Sequence, residues 1–359
     1  MTPLAASLAS RIALDGPLPV STVMAEALSH PRFGYYMVRE PFGSAGDFIT
    51  APEISQMFGE LLGLWLGAVW MAMGAPAAVH LVELGPGRGT LMADARRSLA
   101  RVPGFPLDRP VHLVETSARL RAIQAATIKA PVVHHDHVDQ LPGDAPLLVV
   151  ANEFFDALPI RQFVFTPRGF HERVVGLDAA GALCFGLAPA AAEPGLLPAH
   201  DRPAPGDLLE WCPAGSDIAR TLGARLARQG GAALLIDYGA AHRGFADTLQ
   251  ALAGHAYADV LATLGQADVT AHVNFTHLAE AAAAGGARAH GPVTQGQLLA
   301  ALGIDARAAR LAAANPDKRE TVARACERLT APGQMGSLFK ALALTHPALA
   351  VPPAFESPP

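Results

Sequence analysis

The chain has 359 residues with a formal net charge of -5; only 16% are charged, and glycine (34) and proline (30) are abundant. That length allows two or three domains, or one large α/β domain with additions, and it can bury a sizeable core. The composition excludes a disordered chain, and the mild acidity leaves no electrostatic footprint for nucleic acid.

Cys184, Cys212 and Cys326 are scattered and odd in number, which argues for a reducing compartment and against a disulfide framework or a zinc ribbon. The first twenty residues hold one Arg, one Asp and no long apolar run. Neither a secretory signal nor an Arg-rich transit peptide is visible, so a cytoplasmic location is expected.

From Leu4 to Leu28 the periodicity is helical, broken at Asp15-Gly16-Pro17, with Ser21 as the expected N-cap of the second helix and Glu26 near its first turn. The stretch from His30 to Pro52 carries Phe33, Tyr35, Tyr36, Phe42 and Phe48 among Gly34, Gly43 and Gly46. It reads either as a loop folded on its own core or as a lid over a ligand site. A helix is expected from Pro52-Glu53, with apolar spacing through Ile54, Phe58, Leu61, Leu62 and Trp65. Leu61 to Val82 contains no Asp, Glu, Lys or Arg and imitates a membrane span. Gly74 and Pro76 cut it, however, so no membrane insertion is expected.

VHLVELGPGRGTLM, Val79 to Met92, organises the rest. Its apolar run suits a strand buried on both faces, ending in Glu83. Gly85, Gly87 and Gly89 then allow a turn tight enough for a ligand to lie against bare backbone. A dinucleotide fingerprint G-x-G-x-x-G starting at Gly85 would need glycine where Thr90 stands. The acid at the strand's end would repel a pyrophosphate and welcome a cationic or hydroxylated ligand. The pattern E-x-G-x-G-x-G resembles the first motif of S-adenosylmethionine-dependent methyltransferases.

VHLVET from Val111 repeats the strand-then-acid pattern, and Glu115 falls where an acid at a neighbouring strand tip can grip two ribose hydroxyls. A helix from Ser117 to Lys129 and a strand at Pro131 to His134 lead to Asp136 at the same edge, expected to contact the adenine amino group. His134, His135 and His137 are too close in sequence for convergent metal ligation, and no metal is expected. The strand Leu147 to Ala151 runs into Asn152-Glu153-Phe154-Phe155-Asp156, two acids beside two aromatics at the carboxyl ends of strands, where open parallel sheets bind ligands. Alternatively, Asp156 caps a turn and Glu153 makes a structural ion pair.

RQFVF, HERVVGL and ALCFGL, between Arg161 and Leu187, read as an antiparallel meander appended to the sheet. Ala190 to Pro205 reads as loop, Asp217 to Gln229 as helix, and AALLIDYG as a strand ending at Asp237. Gly254 to Asp268 reads mostly as loop. DVTAHVNF then places His272 and Asn274 before a helix through Ala284; His272 is a candidate general base or a loop histidine with a structural hydrogen bond. Two last strands, Arg288 to Val293 and Ser337 to Leu344, are separated by helices Gln295 to Ala314 and Lys318 to Leu329. Pro352 to Pro359 is expected to fray.

GYY at Gly34, GDFITAPEISQMFGELLG at Gly46, VELGPGRGTLM, HLVETSARLRAIQ, NEFFDALPIRQF, LLIDYG, DTLQA, DVTAHVNF, GPVTQG and MGSLFKALAL together resemble the MidA-type methyltransferases. That family includes the mitochondrial complex I assembly-factor arginine methyltransferase and bacterial relatives. The resemblance implies an α/β, Rossmann-like seven-stranded methyltransferase sheet with its last strand antiparallel, plus a mainly helical second domain. The expected division is 1–75 as helical segment and lid, 76–294 as cofactor-binding core with a meander at about 160–190, 295–335 as helical insertion, and 336–359 as last strand and tail.

By position, the resemblance puts S-adenosyl-L-methionine against Glu83, Gly85, Pro86, Gly87, Gly89, Thr90, Glu115, Asp136 and Asn152. Glu153 and Asp156 would hold the acceptor, with His272 as a further catalytic candidate. Tyr35, Tyr36, Asp47, Phe48, Thr50 and Glu53 would form the lid and substrate side. The implied activity is arginine methylation on a protein substrate, with a respiratory complex I subunit as the suggested acceptor and a homodimer left open. Rivals are an O- or small-molecule methyltransferase, a non-catalytic assembly partner and, more weakly, a nicotinamide dehydrogenase. Asn274, where an acid is expected, and His135, where relatives often carry Trp, bear on the choice of acceptor.

Overall fold

The computed structural model describes residues 1–38, 50–193, 197–198, 201–254 and 256–356. It divides into two compact units: Met1–Phe48 with Phe155–Ser216 and His242–His277, and Ile49–Phe154 with Asp217–Ala241 and Leu278–Pro359.

The second unit is built on a sheet to which it contributes seven strands. They follow one path: Arg288–Thr294, Phe339–Thr345, Gly231–Ala240, Leu147–Asn152, His80–Leu84, Val111–Val114 and Val132–His135. The last strand in the chain, Phe339–Thr345, is antiparallel to both its neighbours, and the five beyond it pair in parallel. The expected seven-stranded sheet with a reversed last strand is therefore present. Parallel strands covered on both faces have no solvated side, which is why His80–Leu84 and Leu147–Asn152 are buried at every residue.

The helix expected from Pro52 is two helices, Ala51–Ile54 and Gln56–Ala72, because Ser55 is extended and caps the second by accepting from the Met57 N–H. Gly59, Gly63 and Gly67 recur every fourth residue along the longer helix and let it approach the helix Thr90–Leu99 closely. A Cβ on Gly63 would stand 2.2 Å from Ser98 Oγ and 2.4 Å from the Ala95 carbonyl oxygen. The apolar stretch after Leu61 thus fills this core with Leu62, Trp65 and Leu66, and the helix stops at Ala72 before Gly74 turns the chain (φ 85°). Among the described residues no helix is long and apolar enough to cross a membrane.

The expected helix from Gln295 is likewise two, Gln295–Ala301 and Ile304–Ala314, with Gly303 (φ 86°) between them. The expected fraying of the tail is corrected as far as Glu356. The carbonyl of Pro353 accepts from the Trp65 indole N–H at 3.1 Å, and Phe355 is buried in the same core. Residues 357–359 lie outside the described residues.

The first unit holds two antiparallel sheets. The meander does not extend the parallel sheet; Arg161–Thr166, Gly169–Leu177 and Leu183–Ala191 form a five-stranded sheet of their own with Leu18–Pro19 and Leu208–Trp211. Gln250–Ala253, Ala256–Ala258 and Asp268–Thr270 make a three-stranded sheet, and the described residues of Gly254–Asp268 are otherwise loop and turn, as expected. The helices Pro3–Asp15 and Val20–Ser29 pack Leu4, Leu8, Met24 and Leu28 with Tyr35 and Val269. Pro19, not Ser21, is the N-cap of the second helix: its fixed φ sets the helix start without a side-chain bond, and Ser21 falls inside the first turn.

Candidate functional site

The strand His80–Leu84 delivers the chain into Gly85, Gly87 and Gly89, all left-handed, with φ of 60°, 52° and 84°. Only glycine adopts this run without strain. The Gly85 N–H donates to the Val114 carbonyl at 3.0 Å, and the Gly89 N–H to the Pro86 carbonyl at 2.7 Å. Helix Thr90–Leu99 starts directly from the turn with Gly89 as its cap. A Cβ on Gly85 would meet the Phe154 ring at 2.7 Å.

Glu83, 3% exposed, accepts from the Met92 N–H inside that helix. Burial pushes its carboxyl well above the usual range, and its Oε2 has no partner among the described residues. Thr90 Oγ1 donates to Glu53 Oε1 at 2.7 Å, and Arg88 Nη1 lies 3.9 Å from Glu53 Oε2. The helix Ala51–Ile54, capped by Thr50, is thereby tied to the glycine turn.

Glu115 follows the neighbouring strand. Its Oε1 accepts from the Ser117 N–H at 2.8 Å and its Oε2 from Gln124 Nε2 at 3.0 Å. Burial raises its pKa against these hydrogen bonds and the Arg121 charge. Arg121 Nε donates to the Glu115 carbonyl at 2.8 Å, and its Nη2 to Asp136 Oδ1 at 2.6 Å, so the strand-tip acids are braced from one helix. Gln124, which the sequence reading overlooked, also donates from Nε2 to the Gly87 carbonyl at 2.9 Å.

At the next strand tip Glu153 is left-handed with φ 51°. A non-glycine residue there costs about 1–3 kcal/mol and persists only where its surroundings over-determine it. Its N–H donates to the Ile236 carbonyl at 2.9 Å, while its Oε1 accepts from the Ala51 N–H at 3.2 Å and from Asn152 Nδ2 at 3.1 Å. Asn152 Oδ1 is buried with no partner among the described residues. Glu83 Oε2 and Asn152 Oδ1 are thus two buried acceptors without a donor among the described residues, on neighbouring parallel strands.

The second unit therefore contains the glycine turn, Glu83, Thr90, Glu115, Asp136, Asn152, Glu153, Thr50 and Glu53. Asp156, His272, Tyr35 and Tyr36 belong to the first. Tyr35 is fully buried there, and Tyr36 donates its hydroxyl to Asp268 Oδ1 at 3.0 Å. Burial, then Asp268 and Asp156, pushes the Tyr36 phenol well above its ordinary pKa. The Asp156 carbonyl accepts from the Ala271 N–H at 3.1 Å, and the His272 N–H donates to Thr248 Oγ1 at 2.9 Å.

Asn274 Oδ1 accepts from the Thr276 and His277 N–H groups at 3.1 and 3.2 Å, a helix-capping task that an aspartate would perform equally. His134 bonds Gln124, and His135 stacks on His112 with ring centroids 5.2 Å apart, so these neighbouring histidines serve separate partners. Asp47 and Phe48, with Phe42, Gly43 and Gly46, lie outside the described residues.

Residues 61–293 match the family model described as "Putative S-adenosyl-L-methionine-dependent methyltransferase". The protein arginine methyltransferase NDUFAF7, mitochondrial, of Bos taurus is 37% identical over 374 residues, covering 96% of this chain and 83% of that protein. The homologue of the same name from Drosophila melanogaster is also 37% identical, covering 95% and 84%. A crystal structure of a Burkholderia thailandensis protein bound to S-adenosyl-homocysteine is 33% identical, with a TM-score of 0.85 over 98% of this chain and 94% of that one. The mitochondrial names of the two enzymes give no support to the cytoplasmic location expected from the sequence.

Proposed function

The chain belongs to this family of S-adenosyl-L-methionine-dependent methyltransferases, and from that premise we propose that it methylates arginine on a protein substrate. The observation that carries the reading is Glu153, a carboxylate held in a left-handed turn beside the glycine loop's strand. An arginine guanidinium, with a pKa above ~12, stays protonated and presents a planar fork of donors, so an acid is the side chain that can align it.

S-adenosylmethionine supplies an electrophilic methyl group on its sulfonium. The backbone of Gly85, Pro86, Gly87 and Gly89, with Thr90, binds its methionine part, and Glu83 Oε2 and Asn152 Oδ1 accept from its ammonium. Glu115 takes the ribose hydroxyls, and Asp136 the adenine amino group. Glu153 accepts an N–H of the acceptor guanidinium and localises its positive charge away from the attacking nitrogen, which would gain the methyl group as the sulfonium's S–CH3 bond breaks to a thioether and would release one proton to solvent, while Thr50 and Glu53 border the substrate side. Positioning of this kind supplies most of the help that an in-line displacement needs. The protein arginine methyltransferases among the relatives support the acceptor class; the sequence resemblance suggests a respiratory complex I subunit as the particular one.

The test is to incubate the protein with methyl-labelled cofactor and extract from cells lacking this chain, then to hydrolyse the labelled fraction. Methylarginine in protein is the expected product. Label confined to small molecules or to oxygen would favour the rival methyltransferase chemistry.

A further inference from the structure

We infer that Gln124 is a positioning residue for the nucleoside half of the cofactor, fastening the glycine turn and Glu115 into one rigid binding edge. The inference rests on the reading of Glu115 as the ribose ligand. Gln124 sits on the helix Ala118–Ile128 and is 0% exposed. Its Nε2 donates to the Gly87 carbonyl at 2.9 Å and to Glu115 Oε2 at 3.0 Å, and its Oε1 faces His134 Nε2 at 3.0 Å.

Every hydrogen-bonding capacity of the amide nitrogen is spent on two groups of the site. Because that nitrogen meets two acceptors, the amide has one admissible orientation. His134 must then donate from Nε2, which locks the orientation from outside. A carbonyl and its following N–H share one rigid peptide plane, so pinning the Gly87 carbonyl fixes the direction of the Arg88 N–H at the base of the turn. Glu115 is held through both oxygens, Oε1 by the Ser117 N–H and Oε2 by Gln124. Its carboxylate plane is therefore set before a ligand arrives, and the ordering cost is removed from binding.

Glutamine alone meets these demands. A carboxylate at 124 would bring a second acceptor to Gly87 and a second negative charge to Glu115. A thioether would leave both acceptors buried and short of one donor, a loss comparable to a charge-assisted hydrogen bond.

Calorimetric titration with S-adenosylhomocysteine tests this without turnover, using the wild-type protein, Gln124→Met, Gln124→Glu, Glu115→Ala and the double variant Gln124→Met/Glu115→Ala. The same titrations are run with an analogue lacking both ribose hydroxyls, and thermal melts establish that each variant is folded. The expected result is a Kd raised at least ~10-fold in each single variant. The double variant is expected to lose less than the product of the two single losses, since the Gln124–Glu115 contact is shared while the Gly87 contact is Gln124's own. The Gln124 penalty should shrink for the analogue. If Gln124→Met is poorly folded, Gln124→Glu, which conserves volume, carries the comparison.

Wild-type affinity in the folded Gln124 variants, with Glu115→Ala impaired, would overturn the inference and leave the ribose reading intact. An equal Gln124 penalty for ligand and analogue, with the double variant losing the full product of the single losses, would overturn it as well, by showing no coupling between Gln124 and Glu115. Unchanged affinity in Glu115→Ala would overturn the ribose reading and the inference together.

Discussion

The backbone N–H of Phe154 donates to Asp237 Oδ2 at 3.2 Å, so a carboxylate at one strand tip holds the left-handed turn at the tip of its parallel neighbour. Asp237 is 1% exposed, and its Oδ1 also accepts from the Tyr238 N–H at 2.9 Å. The two strands run in register up to Ile236 and Asn152, which brings Asp237 level with Glu153. Removing the carboxylate strands a buried N–H and lets the strained residue relax. Asp237→Ala is expected to lower methyl transfer ~10–100-fold while the Kd for S-adenosylhomocysteine stays within ~3-fold, measured by initial rates and calorimetry.

Close helix packing supplies a stability prediction. Gly63→Ala would press a methyl group into Ser98 Oγ at 2.2 Å and into the backbone oxygen of Ala95 at 2.4 Å. Backbone cannot yield as a flexible side-chain end can. The expected cost is about 2 kcal/mol or more, read as a lower urea midpoint at constant slope.

Acid sensitivity follows from the histidines of three adjacent strands. Burial, with the neighbouring His80 and His135, pushes His112 from 6.5 down to about 4. The folded state keeps His112 neutral where the unfolded chain binds a proton. Its contribution is therefore fully present above pH 6.5 and is lost as the pH falls from there towards 4. His112→Phe is expected to flatten the fall in urea midpoint between about pH 6.5 and pH 4, provided the mutant remains folded.

Glu60 offers the opposite sign. Burial alone would raise its pKa, but Arg307 and Arg97 outweigh burial and hold it below the ordinary value of 4.5. Arg307 grips the carboxylate with Nε at 2.7 Å and Nη2 at 3.2 Å, and Arg97 Nε stands at 3.1 Å. That stability is present above pH 4.5 and disappears as acid titrates the folded carboxylate. Arg307→Ala is expected to cost about 2 kcal/mol near neutral pH, with the difference from wild type narrowing in acid.

The glycine turn and Glu115 were legible because their constraints are local: a left-handed run demands glycine, and an acid ending a buried strand must face the sheet's edge. Gln124 was not, because nothing near it in the chain shows that its amide meets a carbonyl 37 residues away. The separate sheet of the meander has the same cause. Arg161–Thr166 pairs with Leu208–Trp211, and no alternation of residues encodes that distant partner. The tail looked frayed because the Trp65 indole that receives Pro353 lies 288 residues earlier. Asn274, read as a departure bearing on the acceptor, caps the helix Phe275–Ala284 through its side-chain oxygen, a local role the sequence reading did not assign.

Whether Glu153 serves the acceptor and not the cofactor is tested most directly by Glu153→Gln. Its Kd for S-adenosylhomocysteine and its single-turnover methyl transfer to a protein acceptor at saturating cofactor are measured side by side. The expected result is a Kd within ~3-fold of wild type and a transfer rate lower by at least ~10²-fold. A transfer rate equal to wild type, with the cofactor bound, would contradict it.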